Sequence, residues 1–541
     1  MGLSGIRQNQ RTRAGKGLFV TRVISGAAHL TARHTILVTL LVCCLPSIAR
    51  VTLLPWLPIP APSIHDEFSN LLAADTFLHG RLANPTPPSW QHFETFHELV
   101  RPTYASVYPP GIGLLLAASI YLFGHAWWGV AISVIVMNLA IVWMLRPWFP
   151  PVWCVLGGLL IGLQFGVMHY WVNGYWGGTL PAIGGSLVIG ACGRLKKAPT
   201  WRTAALLAIG TALLILTRPY EGGVLVITAG CALLWSLRRS KYLATTIGYV
   251  AVTAFVIAGP ALWLLSADNK AVTGSRTVLP HELYRQEYAV MPSFAWQPRQ
   301  APIEHNPILQ QFFYQWEPDL EHASLWGTWA GLWPCIYDRL RAAGQFAPNL
   351  LYYLVAIASI PACLFRPMRF FGLCFFTALF ANSLVNWLTA HYLAPVLGAM
   401  IAIHIYALRW VRAHFRRSAG NYMFASLIVL LALCFGVRFD TKMGIPWDKE
   451  WAYDRQDLIA KLSASPQRHL IFVRYAPTHD IIREWVYNGA DIPDERVIWV
   501  RYISPDSDRA VAAAFPGRSN WLLDPDLDLH LHPYEQISHV H

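Results

Sequence analysis

The chain has 541 residues, of which 55% are hydrophobic and only 13% charged. Soluble globular domains carry about 25% charged residues, so a water-solvated surface of ordinary composition is excluded. The formal net charge of +12 falls in short Lys/Arg clusters beside apolar runs, the pattern of cytoplasmic membrane flanks and not of a nucleic-acid footprint.

In chain order, "MGLSGIRQNQRTRAGKGLFVTR" is basic but lacks a short apolar core with a small-residue cleavage site. Residues 1–35 therefore read as a cytoplasmic leader and not as a signal peptide. Apolar runs long enough to cross a bilayer follow at 36–58, 126–145, 152–168, 177–193, 203–219, 221–237, 243–265, 349–365, 370–389, 392–409 and 421–437. One further run, "YPPGIGLLLAASIYLFG" at 108–124, is ambiguous. If it does not span, the cytoplasmic loops carry Arg146, the cluster Arg194 to Arg202, the cluster Arg238 to Lys241, Arg366 with Arg369, and the cluster Arg409 to Arg417. If it spans, all of these flip outward and the positive-inside bias inverts. The run is therefore expected to be an outside helix at the membrane interface.

The expected fold class is a polytopic α-helical membrane protein of about eleven spans, with its N-terminus inside. The membrane domain covers 36–437, with large outer loops at 59–125 and 266–348, and an outer tail occupies 438–541. Within the tail, "HLIFVRY", "RVIWVRY" and "SNWLLDP" read as strands. "DIIREWVYNG" and "DSDRAVAAAF" read as helices, giving a small α/β domain in βαβαβ order.

Eight of the nine cysteines lie in apolar runs, and only Cys335 sits in a long loop. With no CxxC or metal spacing, neither a disulfide framework nor a zinc site is expected. His530, His532, His539 and His541 read as an exposed tail and not as a metal tract. No cofactor is called for.

Four features gather at the expected outer face. "PSIHDEFSNLLAADTFLHGRLANP" carries Asp66 and Glu67 just beyond the first span, and Tyr108-Pro109-Pro110 opens the interfacial helix. "TRPYEGG" holds Arg218 and Glu221 in an apolar stretch, where ionisable groups are expensive and usually functional. "TAHYLAP" holds His391 and Tyr392. Each has a plainer reading. The acidic pair suits a helix N-terminus, Arg218 and Glu221 can pair at i,i+3, and His391 and Tyr392 suit an aromatic belt.

Taken in order, these features resemble the GT-C superfamily of polyprenyl-phosphate-sugar-dependent glycosyltransferases, nearest the protein O-mannosyltransferases and the lipid A 4-amino-arabinose transferase. The resemblance runs over about residues 30 to 410. It includes the Asp-Glu pair, the Pro-Pro step and the signature Tyr392-Leu393-Ala394-Pro395, and it leaves out the tail. It implies a sugar carried on a polyprenyl phosphate and passed to an acceptor hydroxyl at the outer face. Asp66 is then the general base, and Glu67 orients the acceptor or caps the following helix. The substrate-binding set is Arg101, Tyr108, His169, Arg218, Glu221, His391 and Tyr392. Two departures shape that set. The outer stretch from Met168 to Pro181 has no acid, so either His169 or Asn173 stands in for one or the site is built differently. Val107-Tyr108 replaces a lysine before the Pro-Pro step, so Arg101 takes that element's place beside Arg218 as a candidate cation for the departing phosphate.

The implied partners are a polyprenyl-phosphate-linked sugar, a lipid, glycan or protein acceptor, and the bilayer. The leading alternative is a multi-pass transporter or lipid flippase, against which stand the absence of a visible repeat and the gathering of charge at one face. A third is a non-catalytic assembly or receptor protein with the tail as its binding module.

Overall fold

A computed structural model describes residues 26, 29–31, 33–294, 296–320, 368–386, 390–414 and 450–534. Within them the chain is polytopic and α-helical. Every expected span in these residues meets a helix, while 349–365 and 421–437 lie outside them.

The first helix, α1 (Thr35–Thr52), ends before the apolar run does. Prolines at 55, 58, 60 and 62 remove backbone donors and break the continuation. α2 (His65–Leu78) follows, then a short antiparallel pair, β1 (Glu98–Leu99) with β2 (Ala105–Ser106). α3 (Gly111–Phe123) starts directly after Pro110, and its 13 residues reach only about 20 Å, short of a hydrocarbon core of about 30 Å. The bundle continues with α4 (Trp127–Leu145), α5 (Pro151–Phe165), α6 (Thr179–Leu195), α7 (Trp201–Thr217) and α8 (Pro219–Leu237). α9 (Leu243–Thr253) runs through a π turn at Ala254–Ala258 into α10 (Gly259–Thr273). The long outer loop was expected to begin at 266, but the helix carries on to Thr273. Apolarity marks where a bilayer would end, whereas "SADNKAVT" continues as helix with Asp268 and Asn269 buried. α11 (Pro280–Tyr288), α12 (Arg369–Ser383) and α13 (Leu397–His414) complete this part, with a 3₁₀ stretch, Ala390–Val396, leading into α13.

Among the described residues, five helical stretches are long and apolar enough to cross a membrane: α1, α4, α8, α9 with α10, and His391–Trp410. One apolar cluster runs through the bundle, from Cys43 and Val134 to Ile405 and Leu408. Close approach is built in at Gly185 of α6, where a Cβ would lie 1.7 Å from the Pro395 carbonyl oxygen. Only glycine lets the 3₁₀ stretch with His391 and Tyr392 seat there.

The tail forms an α/β unit. After α14 (Glu450–Ser463), the strands β3 (Arg468–Val473), β4 (Val497–Arg501) and β5 (Arg518–Leu523) are parallel, and β6 (His532–Pro533) pairs antiparallel at one edge, in the order β4-β3-β5-β6. α15 (Pro505–Ala514) makes the second crossover, capped by Ser504. The first crossover is not the helix expected for "DIIREWVYNG". Apart from a short 3₁₀ turn at Ile492–Asp494 it is irregular, with Glu484, Trp485, Val486 and Tyr487 consecutively buried. A helix buries one stripe, so four successive buried side chains require an extended path between two packed surfaces.

The sheet supplies one of those surfaces and the segment between α1 and α4 the other. On one sheet face Leu470, Phe472, Ile498 and Val500 pack with Leu72, Phe93, Val100 and Tyr104. On the other, Ile471, Val473 and Trp499 pack with Phe68, Trp451 and Trp485.

Candidate active site

α2 positions the acid pair. Its Leu-Leu-Ala-Ala centre favours helix, and Asp66 and Glu67 sit in the first turn, where the free N–H groups favour negative charge. One turn has two uses. Glu67, fully buried, accepts from the backbone N–H of Ser63 at 2.6 Å and Ile64 at 3.2 Å, and from Tyr175 N–H at 3.0 Å. That closes the N-terminus of α2 and ties it to the loop before α6. Asp66 points the other way, into a cavity of about 170 Å³.

The cavity is lined by Asp66 and Asn70 of α2, by Tyr108, Pro109 and Ile112 at the start of α3, and by Trp176. The α7–α8 junction adds Thr217, Arg218, Pro219, Tyr220 and Glu221, and Leu279, His281, Glu282, Ser293, Phe294, Val385 and Tyr392 close it. Arg218 lies over the Tyr392 ring at 4.4 Å, with its Nη1 3.8 Å from Glu221 Oε1. The i,i+3 pair therefore forms and also faces the cavity.

Around Asp66, the Tyr108 hydroxyl donates to Oδ1 at 2.5 Å, and His97 Nδ1 lies 3.6 Å from Oδ2. Burial by itself would push the Asp66 carboxyl up. The nearby His97 imidazole and the hydrogen bond from the Tyr108 hydroxyl outweigh it and hold the carboxyl well below the usual carboxylate range. Burial and the Asp66 charge push the Tyr108 phenol up, so it keeps its proton. The site thus presents an ionised carboxylate and a guanidinium to one small space. That arrangement can take a proton at one side and stabilise a developing anion at the other.

Of the residues expected from sequence, Asp66, Tyr108, Arg218, Glu221 and Tyr392 meet at this cavity. His391 stands one layer back, its ring 4.8 Å from that of Trp176 and its Nδ1 3.3 Å from the Tyr170 hydroxyl. Glu67, Arg101 and His169 do not line the cavity. Glu67 is the helix cap. Arg101 is exposed and stacked at 3.6 Å over Trp90. His169 packs against Phe165, Tyr170 and Trp171 at the end of α5. Asn173, the other residue considered in place of a second acid, accepts from Arg50 Nε at 2.6 Å and braces the end of α1.

His97 was missed from the sequence, as were Asn70, Trp176 and His281. Within "FETFHELVRP" nothing local sets His97 apart, because its partners arrive from distant segments. The one local trace is conformational: His97 has φ 59°, a region where His, Asn and Asp are enriched among non-glycine residues.

No protein-family model matches the chain, and no curated protein matches it by sequence. Among solved structures it is similar to ArnT. ArnT from Cupriavidus metallidurans in the apo state has 15% identity and a TM-score of 0.47, over 93% of this chain and 94% of that one. The same protein bound to undecaprenyl phosphate has 15% identity and a TM-score of 0.46, over 91% and 89%. The apo oligosaccharyltransferase of Archaeoglobus fulgidus has 14% identity and a TM-score of 0.43, over 81% of this chain; the chain spans 62% of that protein's length.

Proposed function

We propose that the protein is a membrane glycosyltransferase that moves a sugar from a polyprenyl-phosphate donor to an acceptor hydroxyl at the extracytoplasmic face. The observation that carries this reading is the pairing of Asp66 and Arg218 across one cavity walled by the ends of apolar helices. A donor with a prenyl tail keeps that tail in the bilayer and brings its phosphate to such a place.

The acceptor oxygen attacks the anomeric carbon and its proton passes to Asp66. The bond from that carbon to the phosphate oxygen breaks, and the electron pair leaves on the polyprenyl phosphate, facing Arg218. A single base and direct displacement imply inversion at the anomeric carbon. Tyr108 and Tyr392 wall the sugar space, Glu221 holds Arg218, and His391 supports Trp176. The outer location of the cavity follows from the placement of Lys and Arg in the loops.

The test is transfer in proteoliposomes from a panel of polyprenyl-phosphate sugars, with native mass spectrometry of lipid retained on purification. Asp66→Asn is expected to lower transfer by about 100-fold or more while a lipid of polyprenyl-phosphate mass still co-purifies. No transfer from any donor, together with reproducible absence of such a lipid while ordinary phospholipid is kept, would overturn the reading in favour of a transporter or flippase.

A further inference from the structure

Asp66 has two oxygens, and the contacts around them are unequal. Oδ1 meets the Tyr108 hydroxyl at 2.5 Å, and that hydroxyl meets His97 Nδ1 at 3.0 Å. A phenol has one proton. Given to the carboxylate, it leaves the phenol oxygen as an acceptor, so the contact with Nδ1 is satisfied only if Nδ1 carries a proton. Hydrogen bonding then runs one way, from His97 Nδ1–H to the Tyr108 oxygen and from the Tyr108 O–H to Asp66 Oδ1. Oδ2 is left 3.6 Å from the imidazole, outside hydrogen-bond range.

The His97 ring is held by more than this chain. Its backbone N–H donates to Tyr284 Oη at 2.9 Å, which helps to hold the left-handed φ of 59°. Its ring meets those of His65 at 5.7 Å, Tyr108 at 5.9 Å, Tyr284 at 6.1 Å and Phe312 at 6.5 Å, all edge-on. The titratable and charged groups facing it are thus Asp66 and His65 of α2, Tyr108 before α3 and Tyr284 of α11. His281, also on α11, is close enough to feel His97, and desolvation pushes its imidazole down to about 3.

We propose that His97 is the positioning residue of the catalytic base: it donates from Nδ1 to Tyr108, fixes the direction of the phenol proton, and so reserves Asp66 Oδ2 for the acceptor's proton. The inference rests on the reading of Asp66 as the base. The proton balance is that of the transfer step. The acceptor O–H breaks as the new C–O bond forms, its proton ends on Oδ2, and neither Tyr108 nor His97 changes its proton count. Like the histidine-orienting carboxylate of a hydrolytic triad, His97 acts through another group, with no contact to substrate of its own.

Two measurements test this. Asparagine tolerates a left-handed backbone and offers an N–H donor near the Nδ1 position, whereas alanine offers no donor and pays for the positive φ. His97→Asn is expected to keep transfer within about 10-fold of the unmodified chain, and His97→Ala to lose about 100-fold in kcat with KM nearly unchanged. Tyr108→Phe should cost a similar factor, and the His97→Ala/Tyr108→Phe double variant no more than the larger single loss, because both cut one chain. Unimpaired His97→Ala, His97→Asn as poor as His97→Ala, or fully multiplicative losses would each overturn the proposal. The second measurement does not depend on activity. In ¹⁵N-histidine-labelled protein in nanodiscs, the signal lost in His97→Asn should belong to a ring protonated at Nδ1. A ring protonated only at Nε2 overturns the proposal whether or not transfer is found. Absence of transfer from every donor with an Nδ1-protonated ring would instead sink the glycosyltransferase reading and leave the hydrogen-bond chain standing.

Discussion

His65 shows how one side chain at the turn beside the site links pH to stability. It is 3% exposed, stacks on Phe96 at 4.2 Å and meets the Tyr487 hydroxyl through Nδ1 at 2.8 Å. Burial, with the His97 charge added, pushes its imidazole down to about 3, the opposing pull of Asp66 notwithstanding. In the unfolded chain the same ring protonates near 6.5. Between these values the unfolded state binds a proton that the native state refuses, so this residue makes stability fall as pH drops below about 6.5. Thermal unfolding in detergent between pH 8 and 4.5 should therefore show a Tm that declines on acidification, and His65→Phe should flatten that decline. The variant starts lower at pH 8, having lost the Tyr487 contact. Parallel slopes in the two proteins would assign the acid sensitivity to other groups.

At the scale of the element, α2 divides its labour by face, with Asp66 and Asn70 toward the cavity and Phe68 and Leu72 toward the tail unit. Glu67 serves the helix end. Three N–H groups converge on its two oxygens, and Gly174 permits the approach, since a Cβ there would lie 2.3 Å from Oε1. Glu67→Gln turns one acceptor into a donor facing an N–H, which costs about 1–3 kcal/mol or more. It should lower Tm by several degrees yet spare turnover per folded molecule, the reverse of Asp66→Asn. If Glu67→Gln instead kept its Tm and lost turnover, Glu67 would belong to the chemistry. These elements differ in how far they can be read from sequence. Apolar run length marked the helices of the bundle, because a run of that length has few other fates. The expected span at 36–58 overran the end of α1, which the prolines after Thr52 set, and the continuation of α10 beyond its apolar part was hidden by polar residues that it buries. The crossover 481–490 has helical composition but is pulled straight by surfaces on both sides, which no local pattern encodes. At the site, Asp66, Arg218 and Tyr392 stood out because charge and signature coincide there. His97 did not, because its partners lie at 66, 108 and 284.

At the scale of the molecule, the tail unit and the segment between α1 and α4 share one core. Leu72 and Phe93 complete one face of the sheet and Phe68 the other. Polar contacts follow the same seam: Arg501 Nη2 donates to Glu484 Oε2 at 2.7 Å and to the Glu94 carbonyl at 3.0 Å, Tyr104 donates to the Asn488 carbonyl at 2.9 Å, and Ala490 N–H donates to Asp75 at 2.6 Å. Arg501 and Glu484 have side chains at most 5% exposed. Removing one charge of such a buried pair costs about 3–5 kcal/mol, since the other is left unpaired. A detachable binding module would present a polar seam of its own; this one leaves the loop bearing Asp66 without its apolar backing when it is removed. Truncation before Glu450 should therefore yield a chain that loses monodispersity in detergent and transfers no sugar, and Arg501→Met should move partway in both measures. The discriminating variant is Tyr487→Phe, which keeps the 4.0 Å stack on Phe68 but drops the hydroxyl that meets His65. It should stay monodisperse and lose turnover several-fold, because the same hydroxyl also donates to the Phe96 carbonyl at 3.3 Å, next to His97 and Asp66. A truncated chain with full Tm and full transfer would show instead that the tail merely rests on the loop, and Tyr487→Phe would then be silent.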